Sequence, residues 1–203
     1  MLSLFSKENN LNYLAHIFLS GSNSQLKVGN FIGDFVKGSQ FNNYPESIRR
    51  GIILHRKIDA FTDSHEVVKE TVNFIRPAFG RYSAIIVDMY FDYFLAVNFS
   101  KYASKSLHFF AFKFYLFAIL NYKHLPVSVK GFIFHFVSSH RLYKYSTLSG
   151  LQNSLQIMAN YKTSAIKPEK TIRFLEENRL EIESRFHLFF PDLVAFTKAE
   201  IDK

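Results

Sequence analysis

The chain has 203 residues, 48% of them hydrophobic, and a formal net charge of +8. This length and apolar fraction predict one globular domain over residues 1–203, and the absence of Cys excludes disulfide bonds and thiolate metal ligands. The positive charge is compatible with a partner that is an acidic protein, an anionic lipid or a nucleic acid. The sequence contains no run of five basic residues that would predict a nucleic-acid-binding arm, so no nucleic-acid partner is expected.

Capping residues and apolar spacing predict an all-α fold of about nine helices in a single compact domain. The predicted helices cover about residues 9–19, 25–37, 45–61, 63–80, 82–99 and 104–122, and three more begin near residues 126, 147 and 168. Asn9 or Asn10 is expected to cap the first helix, and Asp63 with Glu66 resembles a capping box for the fourth. Pro191 is expected to separate a short C-terminal helix.

The most apolar stretch, residues 107–120, is shorter than the roughly 18 residues of a membrane span. We interpret it as a buried core helix, with an interfacial helix as the alternative. Near the N-terminus, Lys7 and Glu8 interrupt the apolar residues too early for a signal peptide. The sequence therefore predicts a cytoplasmic protein without a membrane span, and it leaves the oligomeric state open.

The third predicted helix carries polar residues on its apolar face. Ile48, Ile52, His55 and Asp59 follow one another at i, i+4, i+7 and i+11, which places them nearly on one line along the helix. Burying an imidazole and a carboxylate without partners costs several kcal/mol. Either a mutual hydrogen bond or a shared cation satisfies both groups, and the helix alone does not decide between them.

The fifth predicted helix repeats this pattern. Asp88 and Asp92 lie four residues apart on the face that also carries Ile85 and Leu95. Two like charges at this spacing destabilise a helix, and Asp is a poor residue for a helix interior. Two carboxylates that face a core need a cation, an arginine or a shared proton.

The first two helices add further candidates. His16 lies in a helix that is apolar on all sides, and Asp34 lies in a run of apolar residues that follows Gly29 and Gly33. Each has an ordinary alternative, namely a satisfied core histidine and a capping or arginine-paired carboxylate. Together with the third and fifth helices, they form a nitrogen and oxygen donor set that suits Mn²⁺, Mg²⁺, Fe²⁺ or Zn²⁺.

Two cationic side chains flank the histidine of the third helix. Arg56 and Lys57 follow His55 directly, and either can neutralise a phosphate group near a metal site. The alternative for both is a solvated helix face. A cation in such a site can polarise a phosphoryl oxygen and lower the pKa of a bound water so that it forms hydroxide.

Several sequence blocks resemble the acyl carrier protein phosphodiesterases. The first comprises residues 12–16 (Asn-Tyr-Leu-Ala-His) and residues 29–38, which contain Gly33-Asp34-Phe35. The second comprises Leu54-His55-Arg56, Ile58-Asp59 and residues 61–65. The third comprises Val87-Asp88 with residues 92–96. The blocks occur in order over roughly the first half of the chain, and their combination is more specific than any one of them.

The resemblance implies an all-helical fold that is a permuted relative of the His-Asp-motif metal phosphohydrolases. It implies hydrolysis of the phosphodiester of holo-acyl carrier protein to apo-protein and 4'-phosphopantetheine, with Mn²⁺ or a similar cation. Carried over by position, His16, Asp34, His55 and Asp88 are the first candidate metal ligands, and Asp59 and Asp92 are the second. Asp34 is alternatively a general base or a water-orienting residue, and Arg56 would hold phosphate.

Two other functions fit the same residues. One is a metal phosphohydrolase of this fold that acts on a nucleotide or another small phosphodiester. The other is a non-catalytic helical module that binds an acidic partner. An acidic acyl carrier protein as substrate agrees with the positive net charge, because opposite charges accelerate the encounter of two proteins.

Overall fold

A computed structural model describes residues 13–161 and 165–203. Over these two ranges the chain forms α-helices and short 3-10 segments, with no strand. The first helices are α1 (Tyr13–Phe18), α2 (Ser24–Phe31), α3 (Glu46–Ser64), α4 (Glu66–Phe79), α5 (Ser83–Val97) and α6 (Phe99–Tyr102). The later ones are α7 (Leu107–Leu120), α8 (Val127–Lys130), α9 (Ile133–Ser138), α10 (Arg141–Lys144), α11 (Leu148–Tyr161), α12 (Pro168–Glu177) and α13 (Arg179–Ile201). The predicted all-α fold is confirmed.

Some predicted boundaries were wrong. Helix α2 ends at Phe31 rather than near residue 37, because the backbone tightens into a 3-10 turn over Gly33–Phe35. Asp63 does not cap α4, since α3 continues through it to Ser64. The predicted cap at Asn9 or Asn10 lies outside the described residues. Beyond residue 126, one expected helix is divided into the short helices α8, α9 and α10.

Pro191 does not end a helix, contrary to the prediction, because α13 runs through it for 23 residues. A proline inside a helix removes one backbone hydrogen bond. In α13 this loss is offset by burial, since Phe189, Phe190 and Leu193 on either side of Pro191 are each no more than 2% exposed. Tertiary packing thus overrides the local preference for a break.

Phenylalanine rings connect the helices of the core. Phe186 on α13 contacts Phe91 and Phe94 on α5, with ring centroids 5.6 and 6.1 Å apart. Phe31 on α2 contacts Phe114 on α7 at 5.2 Å. Phenylalanine carries no polar atom that needs a partner, so a chain rich in this residue fills its interior without further hydrogen bonds.

Helices α2 and α3 cross at two glycines. A Cβ atom on Gly29 would lie 2.0 Å from the carbonyl oxygen of Ile48, and one on Gly51 would lie 2.3 Å from that of Leu26. These contacts are far below van der Waals distance, so only glycine permits the backbones to approach this closely. The crossing places Asn30 of α2 directly against α3.

Helix α7 is buried on one side only. Phe114 and Ala118 lie in the core, but Phe112 and Leu120 are 60% and 69% exposed. The prediction of a buried core helix is therefore correct for one face and wrong for the other. In the described part of the chain, no helix combines the length and apolar character needed to cross a bilayer.

Candidate metal centre

Two histidines from separate helices meet in the interior. His16 of α1 and His55 of α3 are 4% and 5% exposed, and their rings stack with centroids 4.0 Å apart. The stacking needs a glycine on the neighbouring 3-10 turn, because a Cβ on Gly33 would lie 2.2 Å from the His55 ring. The sequence pattern Gly33-Asp34 thus makes room for the second imidazole.

Asn30 orients both rings. His16 Nδ1 donates to the Asn30 side-chain oxygen at 2.9 Å, and His55 Nδ1 donates to the Asn30 backbone carbonyl at 2.9 Å. The amide orientation is determined by Ser20, whose hydroxyl donates to the His16 carbonyl and accepts from Asn30 Nδ2. Since both Nδ1 atoms face acceptors, they carry protons, and each ring in its neutral form therefore has its lone pair at Nε2.

Both Nε2 atoms face carboxylates. His16 Nε2 lies 3.3 Å from Asp59, and His55 Nε2 lies 3.3 Å from Asp59 and 3.2 Å from Asp34. Two acceptors at this distance require a proton or a cation between them. In the absence of a cation, burial lowers the pKa of His16 but the hydrogen bond and charge of Asp59 outweigh it, so the pKa is raised.

A divalent cation fits the same arrangement. His16, His55 and Asp59 each offer one ligand atom, and these atoms lie within 4.8 Å of one another. Each imidazole donates its other ring proton to an oxygen of Asn30, which is the usual second contact of a histidine metal ligand. The donor set contains nitrogen and oxygen only, in agreement with the cations predicted from the sequence.

A small cavity adjoins two of the three donors, His16 and Asp59. Its volume is about 140 Å³, and residues of α1, α3, α5 and α13 line it. One wall is apolar, with Phe186, Phe189 and Phe190, while the other carries Asp59, Asp63, Asp88 and Asp92. The cavity therefore combines a cluster of carboxylates with a surface that excludes water.

Among the carboxyl groups that line the cavity, Asp88 has the pKa that is raised the most. Burial, followed by the charge of Asp59, raises its pKa to about 8. Burial and Asp59 also raise the pKa of Asp63. Carboxylates that repel one another in this way are stabilised by a bound cation, which gives Asp88 a reason to lie on the face predicted for it.

Asp92 has a different role in the structure. Its two oxygens accept hydrogen bonds from the backbone N–H groups of Leu14 at 2.9 Å and Ala15 at 2.8 Å, at the start of α1. Burial raises its pKa to about 6, and these two hydrogen bonds partly offset that effect. Asp92 thus anchors the helix that carries His16, and its role as a metal ligand stays a prediction.

Comparison with known proteins identifies the family of the chain. The family model described as acyl carrier protein phosphodiesterase matches residues 11–193. The chain belongs to the acyl carrier protein phosphodiesterase family. An acyl carrier protein phosphodiesterase of Yersinia pestis is 27% identical over 185 residues, and one of Salmonella agona is 28% identical over 194 residues. Each alignment covers 91% of this chain and 96% of the relative. No solved structure matches the chain significantly.

The family membership predicted from the sequence is therefore confirmed, and the family is named for a phosphoric diester hydrolase. The match includes every candidate site residue, from His16 to Asp92. The relation to the His-Asp-motif phosphohydrolases stays a prediction.

The two cations expected at the phosphate have other partners. Arg56 donates to the carbonyl oxygens of Val36 at 2.9 Å and Gly38 at 2.8 Å, and its guanidinium lies 4.9 Å from the ring centroid of Phe41. Lys57 is exposed and pairs with Glu200 at 2.5 Å. These contacts support the loop before α3 and the end of α13, so a phosphate role for either residue stays a prediction that its contacts do not favour.

Sequence reasoning missed Asn30 and Ser20. Asn30 is fully buried, and its side chain and carbonyl fix both imidazoles, yet no motif reserves asparagine for this task. The available signal was a lone amide between Gly29 and Phe31 on a buried face, since a buried amide needs hydrogen-bond partners. Its identification as a histidine support required the fold.

Proposed function

We propose that this chain hydrolyses the phosphodiester that joins 4'-phosphopantetheine to acyl carrier protein, and that it acts in the cytoplasm as a single domain. The products would be apo-acyl carrier protein with a free serine and 4'-phosphopantetheine. The observation that carries the proposal is the pair of buried imidazoles whose Nε2 atoms face Asp59 and Asp34. Membership in a family named for this reaction supports the substrate.

His16, His55 and Asp59 are the proposed holders of a divalent cation, with Mn²⁺ as the first choice. Asp34 lies 3.2 Å from His55 Nε2, and Asp88 lines the same cavity as His16 and Asp59; both are proposed as further ligands or as groups that orient water. A bound divalent cation supplies a Lewis acid for the phosphoryl oxygen and lowers the pKa of water. The choice of Mn²⁺ over Mg²⁺, Fe²⁺ or Zn²⁺ comes from the family resemblance.

The chain's own residues prepare the site before substrate arrives. Asn30 holds both imidazoles in the tautomer that presents a lone pair at Nε2, so no reorganisation is needed. The rings of Phe186, Phe189 and Phe190 exclude water from one side of the cavity, which strengthens the charge interactions inside it. Asp34, 3.2 Å from His55 Nε2, is placed to accept a proton from water at the edge of the site.

Charge supports the proposed partner. Acyl carrier proteins are acidic, and this chain carries a net charge of +8. Such complementarity raises the rate of encounter more than it raises affinity, and salt screens it. We therefore expect turnover of acyl carrier protein to fall as ionic strength rises.

The direct test is the mass of holo-acyl carrier protein after incubation with the enzyme and Mn²⁺. We expect loss of the phosphopantetheine mass with wild type and with His135→Ala, which alters an exposed histidine outside the site. Asp59→Asn and His55→Ala should leave the mass unchanged while remaining folded. An unchanged mass with the wild-type enzyme, together with hydrolysis of a nucleotide phosphodiester, would favour the small-molecule alternative. Failure to bind any divalent cation would favour the non-catalytic module.

A further inference from the structure

One continuous part of the chain holds the entire excess of positive charge. Residues 93–168 contain nine Lys and Arg residues and no Asp or Glu, whereas the rest of the chain contains 16 basic and 17 acidic residues. Neither helix formation nor core packing requires a segment of 76 residues that lacks Asp and Glu. This part includes α7, α8, α9 and α10.

The same part exposes large apolar side chains. Phe109, Phe112, Leu116 and Leu120 of α7 lie at i, i+3, i+7 and i+11, and so they form one stripe. Their exposed fractions are 46%, 60%, 48% and 69%. At the end of the stripe, Phe134 is 61% exposed and its ring lies 5.5 Å from that of Tyr122. A contiguous exposed apolar surface of this kind indicates an interaction site.

Lysines accompany the apolar stripe. The Lys113 ammonium lies 5.8 Å from the Phe109 ring centroid and 5.7 Å from that of Phe117, so its alkyl chain runs along the stripe. Lys130 lies 5.3 Å from the ring of Tyr122. Long side chains in this arrangement bury their methylene groups in an apolar phase and keep the charge at its surface.

None of the residues of this surface lines the cavity beside the metal centre. Helix α2 contacts α3 at Gly29 and Gly51 and contacts α7 through Phe31 and Phe114. The cavity is lined from α1, α3, α5 and α13. An occupant of the α7 surface would therefore leave the cavity open to substrate.

We propose that the α7 surface, defined by Phe109, Phe112, Leu116, Leu120 and Phe134, binds an anionic lipid surface. A second copy of the chain is disfavoured, because two segments without a carboxylate would repel each other. The exposed side chains project from the ridge of a helix, so a protein partner would need a matching groove, whereas a lipid interface accepts protruding Phe and Leu without one. Helices that lie in the plane of a membrane interface typically combine Phe and Leu with Lys, as the α7 surface does.

The test is flotation of the full-length protein with vesicles of phosphatidylcholine, alone or with phosphatidylglycerol. We expect binding to the anionic vesicles only, weakened by high salt. The double variant Phe112→Ser with Leu116→Ser should lower binding by about tenfold or more, because it removes two large apolar groups from the interface. The matched control, Leu180→Ser with Leu188→Ser, changes residues on α13 that are 85% and 65% exposed and should bind as wild type does.

Charge is tested in the same assay. Lys113→Gln with Lys123→Gln should weaken vesicle binding, by about fivefold per lysine, whereas Lys69→Gln with Lys198→Gln outside the segment should not. Absence of binding to anionic vesicles, or equal losses in the two serine variants, would overturn the proposal. So would an α7 variant that floats normally but hydrolyses soluble acyl carrier protein more slowly, since the surface would then belong to a protein partner. The flotation result does not depend on the proposed hydrolysis.

Discussion

Asn30 offers the most direct test of the metal centre, since one side chain and its own carbonyl hold both histidines. In Asn30→Ala the His16 Nδ1 proton loses its acceptor and Ser20 loses a donor, while the carbonyl that holds His55 remains. A buried group left without its partner costs about 1–3 kcal/mol. We therefore expect the free energy of unfolding of the metal-free protein to fall by about 2–4 kcal/mol.

The distinguishing effect is on metal affinity. A hydrogen-bond partner of a metal-binding histidine contributes about 10–100-fold to affinity, so the dissociation constant for Mn²⁺ should rise by that factor in Asn30→Ala. Calorimetric titration of the folded protein with Mn²⁺ measures it. Asn30→Asp keeps an acceptor towards His16 and should recover most of the affinity, which guards against a merely unstable alanine variant.

Asn98 provides a matched control. It is also a buried asparagine, and its amide donates to the Phe94 carbonyl at 3.1 Å and to Glu183 at 2.7 Å. Asn98→Ala should lower stability by a similar amount, since it too loses two buried hydrogen bonds, and leave Mn²⁺ affinity within about twofold. Equal Mn²⁺ affinities in the two alanine variants would refute the assignment of Asn30 as the histidine support.

Three further outcomes are expected. Gly51→Ala should lower the free energy of unfolding in urea by about 3 kcal/mol, because the new Cβ would lie 2.3 Å from the Leu26 carbonyl oxygen. The control Gly131→Ala, whose nearest contact is at 3.3 Å, should lower it by about 1 kcal/mol or less. Equal effects of the two substitutions would contradict the close crossing of α2 and α3. In the metal-free protein the folded pKa of Asp88 is raised to about 8, so the stability this group contributes is present at pH 4 and is lost as the pH rises through 8. Unfolding free energy should therefore fall by on the order of 4 kcal/mol between pH 5 and pH 8, Asp88→Asn should flatten that slope, and an unchanged slope would count against the raised pKa of this carboxyl. Arg56→Ala should lower the free energy of unfolding by about 2–3 kcal/mol, because Arg56 loses its hydrogen bonds to the carbonyls of Val36 and Gly38. The control Lys57→Ala, at an exposed residue, should lower it by less than about 1 kcal/mol. Similar losses in the two variants would argue against the contact of Arg56 with the loop before α3.

The elements that the sequence predicted well are those that depend on local spacing. His55 and Asp59 lie four residues apart on one helix, so their common face followed from helix geometry, and the structure places both at the candidate centre. The helical character of the long segments was likewise apparent from capping residues and apolar spacing. Boundaries were less accurate where packing decides, as at Pro191, whose break is overridden by the buried rings beside it.

The contacts that the sequence did not predict join distant positions. Asp92 was grouped with Asp88 because the two share a face, but its partners are backbone groups 77 and 78 residues away, and these carry no sequence signal. The α7 surface was missed for a related reason. The sequence shows that residues 107–120 are apolar, but only the tertiary structure determines which side of that helix is covered.

Helix α5 carries Asp88 and Asp92 one turn apart, and the two carboxylates have different roles. Asp88 faces the cavity, while Asp92 ties the first turn of α1 to α5 and thereby sets the height of His16 above that cavity. The spacing between these two aspartates thus determines where Asp88 and His16 lie relative to each other. A one-residue insertion or deletion between them would rotate one carboxylate by about 100° away from its partner. Natural variants of this chain should accept changes of side chain along α5 far more readily than changes in its length.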